Sequence, residues 1–483
     1  MQEELKRLDA AAAFANCERL WPSADAGAAV RQLFNEEYAA FQKYVVVLDD
    51  DPTGVQTVHD IDVITSWDTD AITQMLNEEK KLFFVLTNSR SFSAEKTEKV
   101  HREIAKNACE AARKAGKEIL FISRGDSTLR GHFPLETQTL RTALEEEGLR
   151  FDGELLCPFF REGGRFTIDS VHYVKEGDEL VPAAQTEFAR DKTFGYTHSY
   201  LPEYIEEKSG GKVKAEQVVT VRLDELRSMD LNAVEKKIAE AKGYVYIAAD
   251  AICETDVQLM AVVLMRLMKK GKRYLIRSAA AVPKVFGAVG DRPLLSRAEM
   301  ESGPSENGGL VIVGSHVKKT TDQIEYLKES KVPLEWIEFS AGLWNVPGGL
   351  EGETQRAAKL AQEAISSGKT AVVYTSRTLV APQDASPEEK LAISVRISDA
   401  VTNIVSALQV RPRFLIAKGG ITSSDIGRKA LQVKRAHVLG QAQPGIPVWQ
   451  TGAESRFPGL AYIIFPGNVG GVDTLRTIVE MLA

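Results

Sequence analysis

Short apolar runs recur along the chain, and most of them end in small or polar residues. They are YVVVLDDDPTG at 44–54, LFFVLTNSRS at 82–91, EILFISRGDST at 118–128, GELLCPFFREGG at 153–164 and YVYIAAD at 244–250. A continuous apolar run of this length, without strict alternation, suits a strand buried on both faces, so each predicts a parallel strand with a polar carboxyl end. Longer stretches with helical spacing, such as AEKTEKVHREIAKNACEAARKAG, lie between them. Strand and helix therefore alternate, which predicts an α/β fold.

The rhythm breaks at 289–309, VGDRPLLSRAEMESGPSENGG, where Gly, Pro, Ser and charge replace any apolar period. It restarts with GLVIVGS, LEWIEFS, TAVVYTSR, FLIAKGGITSSD and YIIFPGNVGG. A length of 483 residues exceeds one ordinary core. The expected architecture is an N-terminal helical extension over 1–41, a first domain over 42–290 and a second over 305–483. Both domains read as three-layer α/β with mainly parallel sheets, and the expected active-site cleft lies between them.

Composition narrows the partners. Apolar residues make up 44% and charged residues 26% of the chain, as in a globular protein, and a formal net charge of −7 provides no basic field for nucleic acid. Four cysteines, Cys17, Cys109, Cys157 and Cys253, form no C-x-x-C pair, so neither a zinc site nor a redox dithiol is signalled. Nowhere do eighteen apolar residues follow one another, so no membrane span and a cytoplasmic location are expected. A small-molecule partner fits, and self-association is left open.

Ligands of open parallel sheets bind beyond the carboxyl ends of the strands. In the first half these ends carry Asp49, Asp50, Asp51 and Thr53, then Asn88, Ser89 and Arg90, then Arg124, Asp126, Ser127, Thr128 and Arg130. A guanidinium forks a carboxylate while an aspartate accepts from hydroxyls, so the mixture points to a sugar acid. Arg161 to Arg165 and Asp191 to Tyr196 are further loops assigned to that side. His59, His132 and His172 lie near these loops without metal-ligand spacing. In the second half the strand ends are bare: Gly314-Ser315, Lys418-Gly419-Gly420-Ile421-Thr422-Ser423 and Gly467-Asn468-Val469-Gly470-Gly471. Glycine admits a close backbone approach, and Thr422 to Asp425 can open a helix toward an anion, so these loops suit phosphate. No G-x-x-x-x-G-K-[ST] loop and no G-x-G-x-x-G fingerprint occurs.

The LDDDPTG strand end, the GDSTLRG segment, the GS turn of VIVGS, the KGGITS loop and the PGNVGG loop occur in this order. With them the chain resembles the four-carbon acid sugar kinase family, whose members act on threonate, erythronate and 3-oxo-tetronate, over roughly residues 44–480. The resemblance implies an ATP-dependent phosphotransferase whose first domain holds the acid sugar and whose second holds ATP with Mg2+. It puts Asp50, Asp51, Thr53, Arg90, Arg124 and Asp126 through Ser127, Thr128, Leu129 and Arg130 on the substrate side. Ser315, Lys418, Gly419, Gly420, Ile421, Thr422, Gly467 and Asn468 fall on the nucleotide side. Asp51 and Asp126 are the candidate proton acceptors. Many members carry Glu where Ile421 stands and Phe where Val469 stands. The rival readings are a sugar-acid and nucleotide sensor without turnover, or an enzyme of another class using a dinucleotide.

Overall fold

The computed structural model describes residues 5–301, 303, 305–315, 317–376, 387–467 and 469–483. The chain forms two compact units, one of residues 1–50 and 67–290, the other of residues 51–66 and 291–483.

The sheet of the first unit is wholly parallel. Its strands run in the order Val219–Val221, Val245–Ala249, Gly153–Cys157, Tyr274–Ser278, Ile119–Arg124, Tyr44–Asp49 and Leu82–Leu86. The central strands are buried along their length, which is why their sequences are apolar without alternation. Helix Ala94–Ala115 shows how the covering layers are specified. Ser93 caps it by accepting from the Lys96 amide at 3.3 Å, and Gly116 ends it in the left-handed conformation at φ +63°. Val100, Ile104, Ala108 and Ala111 fall on its buried stripe. A separate antiparallel sheet of Leu8–Asp9, Glu179–Pro182, Val171–Glu176 and Arg165–Ile168 also belongs to this unit.

Among the described residues before 42, strand Leu8–Asp9 is followed by helices Ala10–Glu18 and Ala26–Ala40, and this segment is built into the first unit rather than appended to it. Val30 and Phe34 are buried, helix Ala26–Ala40 packs on helix Glu254–Lys269, and Glu37 pairs with Arg266 at 2.7 Å.

In the second unit the strand order is Ile61–Ile64, Arg435–Gln443, Ile446–Thr451, Ala461–Phe465, Phe414–Lys418, Leu310–Val313, Thr370–Thr375 and Leu334–Phe339. The last five are mutually parallel and the first three are antiparallel additions. This departs from a first domain spanning 42–290 without interruption. Ile61–Ile64 pairs with Arg435–Gln443, His437 standing opposite Asp62, and carries residues 51–66 into the C-terminal unit. Both units are therefore α/β with predominantly parallel sheets. No helix among the described residues is long and apolar enough to cross a membrane.

Candidate functional site

In the first unit four neighbouring strands end in charge. Asp49 and Asp50 close Tyr44–Asp49, Arg90 follows Leu82–Leu86, Arg124 closes Ile119–Arg124, and Arg277 lies near the end of Tyr274–Ser278. Arg90 forks Asp50, with Nη2 to Oδ1 at 2.6 Å and Nε to Oδ2 at 3.1 Å. Arg124 Nη1 reaches Asp49 Oδ1 at 3.2 Å and Asp50 Oδ1 at 3.5 Å. Burial pushes the Asp50 carboxyl up from its ordinary value, against the opposing pull of Arg90.

Beneath them lies a buried pair that the sequence did not announce. Arg277 Nη1 pairs with Glu136 Oε2 and donates to Ser123 Oγ at 2.8 Å, and Ser89 Oγ donates to Glu136 Oε1 at 2.5 Å. Burial opposes the Glu136 charge, but Arg277 and His101 outweigh it and hold the carboxyl down to about 2. A Cβ on Gly125 would lie 2.1 Å from Arg277 Nη2, so that glycine is the space the guanidinium needs. The apolar run YLIRS carried the only signal for Arg277, a cation at a strand end; Glu136 lies within a helix and had none.

Loop 126–130 forms the other wall. Asp126 Oδ2 accepts from Thr128 Oγ1 and, at 2.6 Å, from Arg130 Nε. Burial alone would raise this carboxyl, but Arg90 and Arg130 hold it well below the usual carboxylate range. The loop backbone is pinned by two phenols, Tyr196 to the Thr128 carbonyl at 2.7 Å and Tyr204 to the Leu129 carbonyl at 2.8 Å. Leu129 itself has φ +67° and turns its side chain into the core with Phe133 and Tyr204, so it shapes the loop rather than lining it. His172 is buried behind the Ser127 carbonyl, and His132 reaches the Phe92 carbonyl at 3.0 Å. Both histidines hold structure. The structure thus brings Asp50, Arg90, Arg124, Asp126, Ser127, Thr128 and Arg130 together. A separate cavity of about 400 Å³, lined by Lys43, Ile119 and Tyr274, sits at the opposite, amino-terminal ends of the strands.

In the second unit three adjacent parallel strands, Leu310–Val313, Phe414–Lys418 and Ala461–Phe465, deliver their glycine loops to one place. A Cβ on Gly314 would lie 2.2 Å from Thr422 Oγ1, and one on Gly467 would lie 2.7 Å from Ser315 Oγ. Gly419 has φ +124°, with Thr422 Oγ1 and the Ser315 amide nitrogen 3.2 and 3.5 Å from its Cβ position. The helix after it begins at Gly420, earlier than expected, so Thr422 does not cap it and instead fills the space between Gly314 and Gly419. Thr320 and Gln323 on helix Lys318–Lys328, which the sequence reading missed, hold the late loop. Thr320 Oγ1 donates to the Gly467 carbonyl at 3.0 Å, and Gln323 Nε2 donates to the Gly471 carbonyl at 2.7 Å. Ile421 is exposed, and Asn468 lies outside the described residues.

Two expectations change here. Lys418, expected on the nucleotide side, is fully buried, donating to the Pro466 carbonyl at 3.1 Å with its ammonium 3.7 Å from the centre of the Phe465 ring. Burial, with Lys319 nearby, pushes its pKa down to about 7. Asp51, expected on the substrate side, belongs to the second unit. Its Oδ1 accepts from the Thr53 amide at 2.8 Å and the Thr53 hydroxyl at 2.6 Å, while Oδ2 lies 3.2 Å from the Cβ position of Gly420. Among the described residues no three or more His, Cys, Asp or Glu cluster as a metal site.

Comparison with known proteins bears on both units. Residues 45–285 match the family model of a sugar-binding N-terminal domain, and residues 310–475 match that of a nucleotide-binding C-terminal domain. Among solved structures, a Haemophilus influenzae protein of the family DUF1537 is 18% identical, with TM-score 0.60 over 91% of this chain and 100% of its own. A Salmonella typhimurium protein provisionally named a tRNA synthase is 16% identical, with TM-score 0.63 over 90% of this chain and 98% of its own. At such identities the likeness concerns the fold alone. No curated protein matches the chain significantly. With its two halves matched in order by the paired sugar-binding and nucleotide-binding domains, the chain belongs to the four-carbon acid sugar kinase family.

Proposed function

We propose that this protein transfers the γ-phosphoryl group of ATP to a hydroxyl of a four-carbon acid sugar. The observation that carries the reading is the convergence of three loops of the second unit, where the missing side chains of Gly314, Gly419 and Gly467 let the hydroxyls of Ser315 and Thr422 close in beside the loop backbone. Polyphosphate is recognised by amide groups at such bare strand ends, and Ser315 and Thr422 add hydroxyls, so the residues present fit a nucleotide triphosphate. ATP when bound would supply the transferable phosphoryl group, and Mg2+ would offset the charge of its oxygens while needing few protein ligands.

The chain's own part is alignment and charge. Arg90, Arg124 and Arg130 present guanidinium to an anionic substrate, and Asp50 and Asp126 orient its hydroxyls. Of the two candidate proton acceptors, Asp51 suits the role better. Asp126 is held so far below the usual range by Arg90 and Arg130 that it is a weak base at neutral pH, and its Oδ2 is already engaged. Asp126 then acts by positioning.

ADP release measured over D- and L-threonate, D- and L-erythronate and 3-oxo-tetronates tests this reading. Turnover that depends on both ATP and one of these acids is expected. ATP binding without acid-dependent ADP release would overturn it in favour of a sensor, and stabilisation by NAD but not ATP would favour the dinucleotide enzyme.

A further inference from the structure

Strand Arg165–Ile168 pairs antiparallel with Val171–Glu176, and Thr167 stands opposite His172. Residues two apart on a strand share a face, so Arg165 lies on the face of Thr167. That face is tied to the loop of Asp126. His172 Nε2 donates to the Ser127 carbonyl at 2.8 Å, because a carbonyl can only accept, and Nδ1 therefore accepts from the Thr167 hydroxyl at 3.0 Å. Burial pushes the His172 pKa down to about 4, so this tie is neutral at physiological pH.

Arg165 thereby stands beside Asp126 and Arg130. The two guanidinium carbons lie 5.0 and 5.4 Å from the centre of one ring, Phe188. The fully buried arginines of this unit have carboxylates, Arg277 with Glu136, Arg227 with Asp256 at 2.7 Å and Arg124 with Asp49, whereas Arg165 is half-buried. Arg165 differs. Its Nε is shielded from solvent with no hydrogen-bond partner, and among the described residues its guanidinium makes no hydrogen bond or ion pair. Burial lowers its pKa, and the field of Asp126 offsets that only in part. Asp126 is already engaged by Thr128 and Arg130. A half-buried guanidinium whose Nε is shielded and whose neighbouring carboxylate is taken gains most from a ligand that supplies an anion.

We infer that Arg165, with Arg130 on the same aromatic ring, holds the carboxylate of the acid substrate. This rests on the reading of the first unit as an acid-sugar site. It assigns a direction to the bound molecule, with the carboxylate toward Arg165 and Phe188 and the hydroxyls toward Asp50 and Asp126. The guanidinium forks provide the geometry a carboxylate fits, which a single ammonium does not.

The test is calorimetric titration of the full-length protein with the preferred acid and with the neutral amide of the same acid. Wild type, Arg165→Gln and Arg165→Lys are compared. The wild type is expected to prefer the acid, and Arg165→Gln to weaken acid binding by about 10- to 100-fold while leaving the amide unchanged, with Arg165→Lys in between. Equal weakening of acid and amide would mark a merely structural arginine and overturn the inference, as would unchanged acid binding in Arg165→Gln. If Arg165→Gln does not fold, the acid-to-amide ratio of Arg165→Lys decides on the same terms. Failure of the wild type to bind any of these acids would instead remove the acid-sugar reading itself.

Discussion

The two ligand surfaces solve different problems with opposite materials. In the first unit the strand ends are crowded with charged side chains, and nearly every charge is already tied to another: Arg90 to Asp50, Arg124 to Asp49, Arg130 to Asp126, Arg277 to Glu136. In the second unit the corresponding strand ends are stripped, and the nearest side chains, Ser315 and Thr422, pack against the places where glycine has none. A hydroxylated acid differs from its isomers in where hydroxyls sit, so reading it takes directional side chains held in place by one another. Phosphate presents the same oxygens in every nucleotide, so backbone amides suffice. On the proposed function, specificity for the acid can therefore be altered one side chain at a time, whereas the glycine loops leave little room to add a side chain on the nucleotide side.

The sharpest break in that contrast is Asp51→Asn, because Asp51 is a carboxylate set beside the glycine loops, with Oδ2 3.2 Å from the Cβ position of Gly420. A loss of about 10²- to 10⁴-fold in kcat is expected in steady-state assays, with acid affinity by calorimetry unchanged. Next is the support beneath the cup. Arg277→Met leaves Glu136 buried and unpaired, and urea unfolding should show a loss of about 3–5 kcal/mol. Gly314→Ala tests the bare side directly. With its Cβ 2.2 Å from Thr422 Oγ1, it should lower kcat/KM for ATP by about 10²-fold and spare acid binding.

The smallest effect concerns the cation below the cradle. Lys418 has a folded pKa of about 7, below the ordinary lysine value of about 10.4. Between these values the unfolded chain binds the additional proton, so this group makes stability rise with pH from about 7 upward, and its cost is complete below 7. Lys418→Met should remove that slope, which urea midpoints at pH 7, 8 and 9 can measure against wild type.

Much of this was legible because buried parallel strands write themselves as uninterrupted apolar runs. LFFVL, ILFIS and FLIAK are strands as expected, and the residues after them do meet at the carboxyl ends. What stayed hidden depended on partners distant in sequence. The Ile61–Ile64 strand finds its neighbour more than 370 residues later, at Arg435–Gln443, and no local pattern announces that. Glu136 looks like any polar residue of an amphipathic helix until Arg277 is beside it. Lys418 reads as a ligand cation at a strand end because burying an ammonium is costly, and the Pro466 carbonyl and the Phe465 ring make its burial tolerable. Arg165 reads as part of a loop, but its want of an anion is a property of the space around it.

The membership of residues 51–66 in the C-terminal unit reaches beyond geometry, to how such a gene can be cut. A polypeptide starting at 291 would encode the bare cradle without Asp51 and without the strand that covers Arg435–Gln443. That nine-residue strand would then be an open edge of alternating buried and half-buried positions, a template for pairing with a second copy. Separately expressed halves should be sticky, and a simple end-to-end fusion of two ancestral modules does not produce this connectivity.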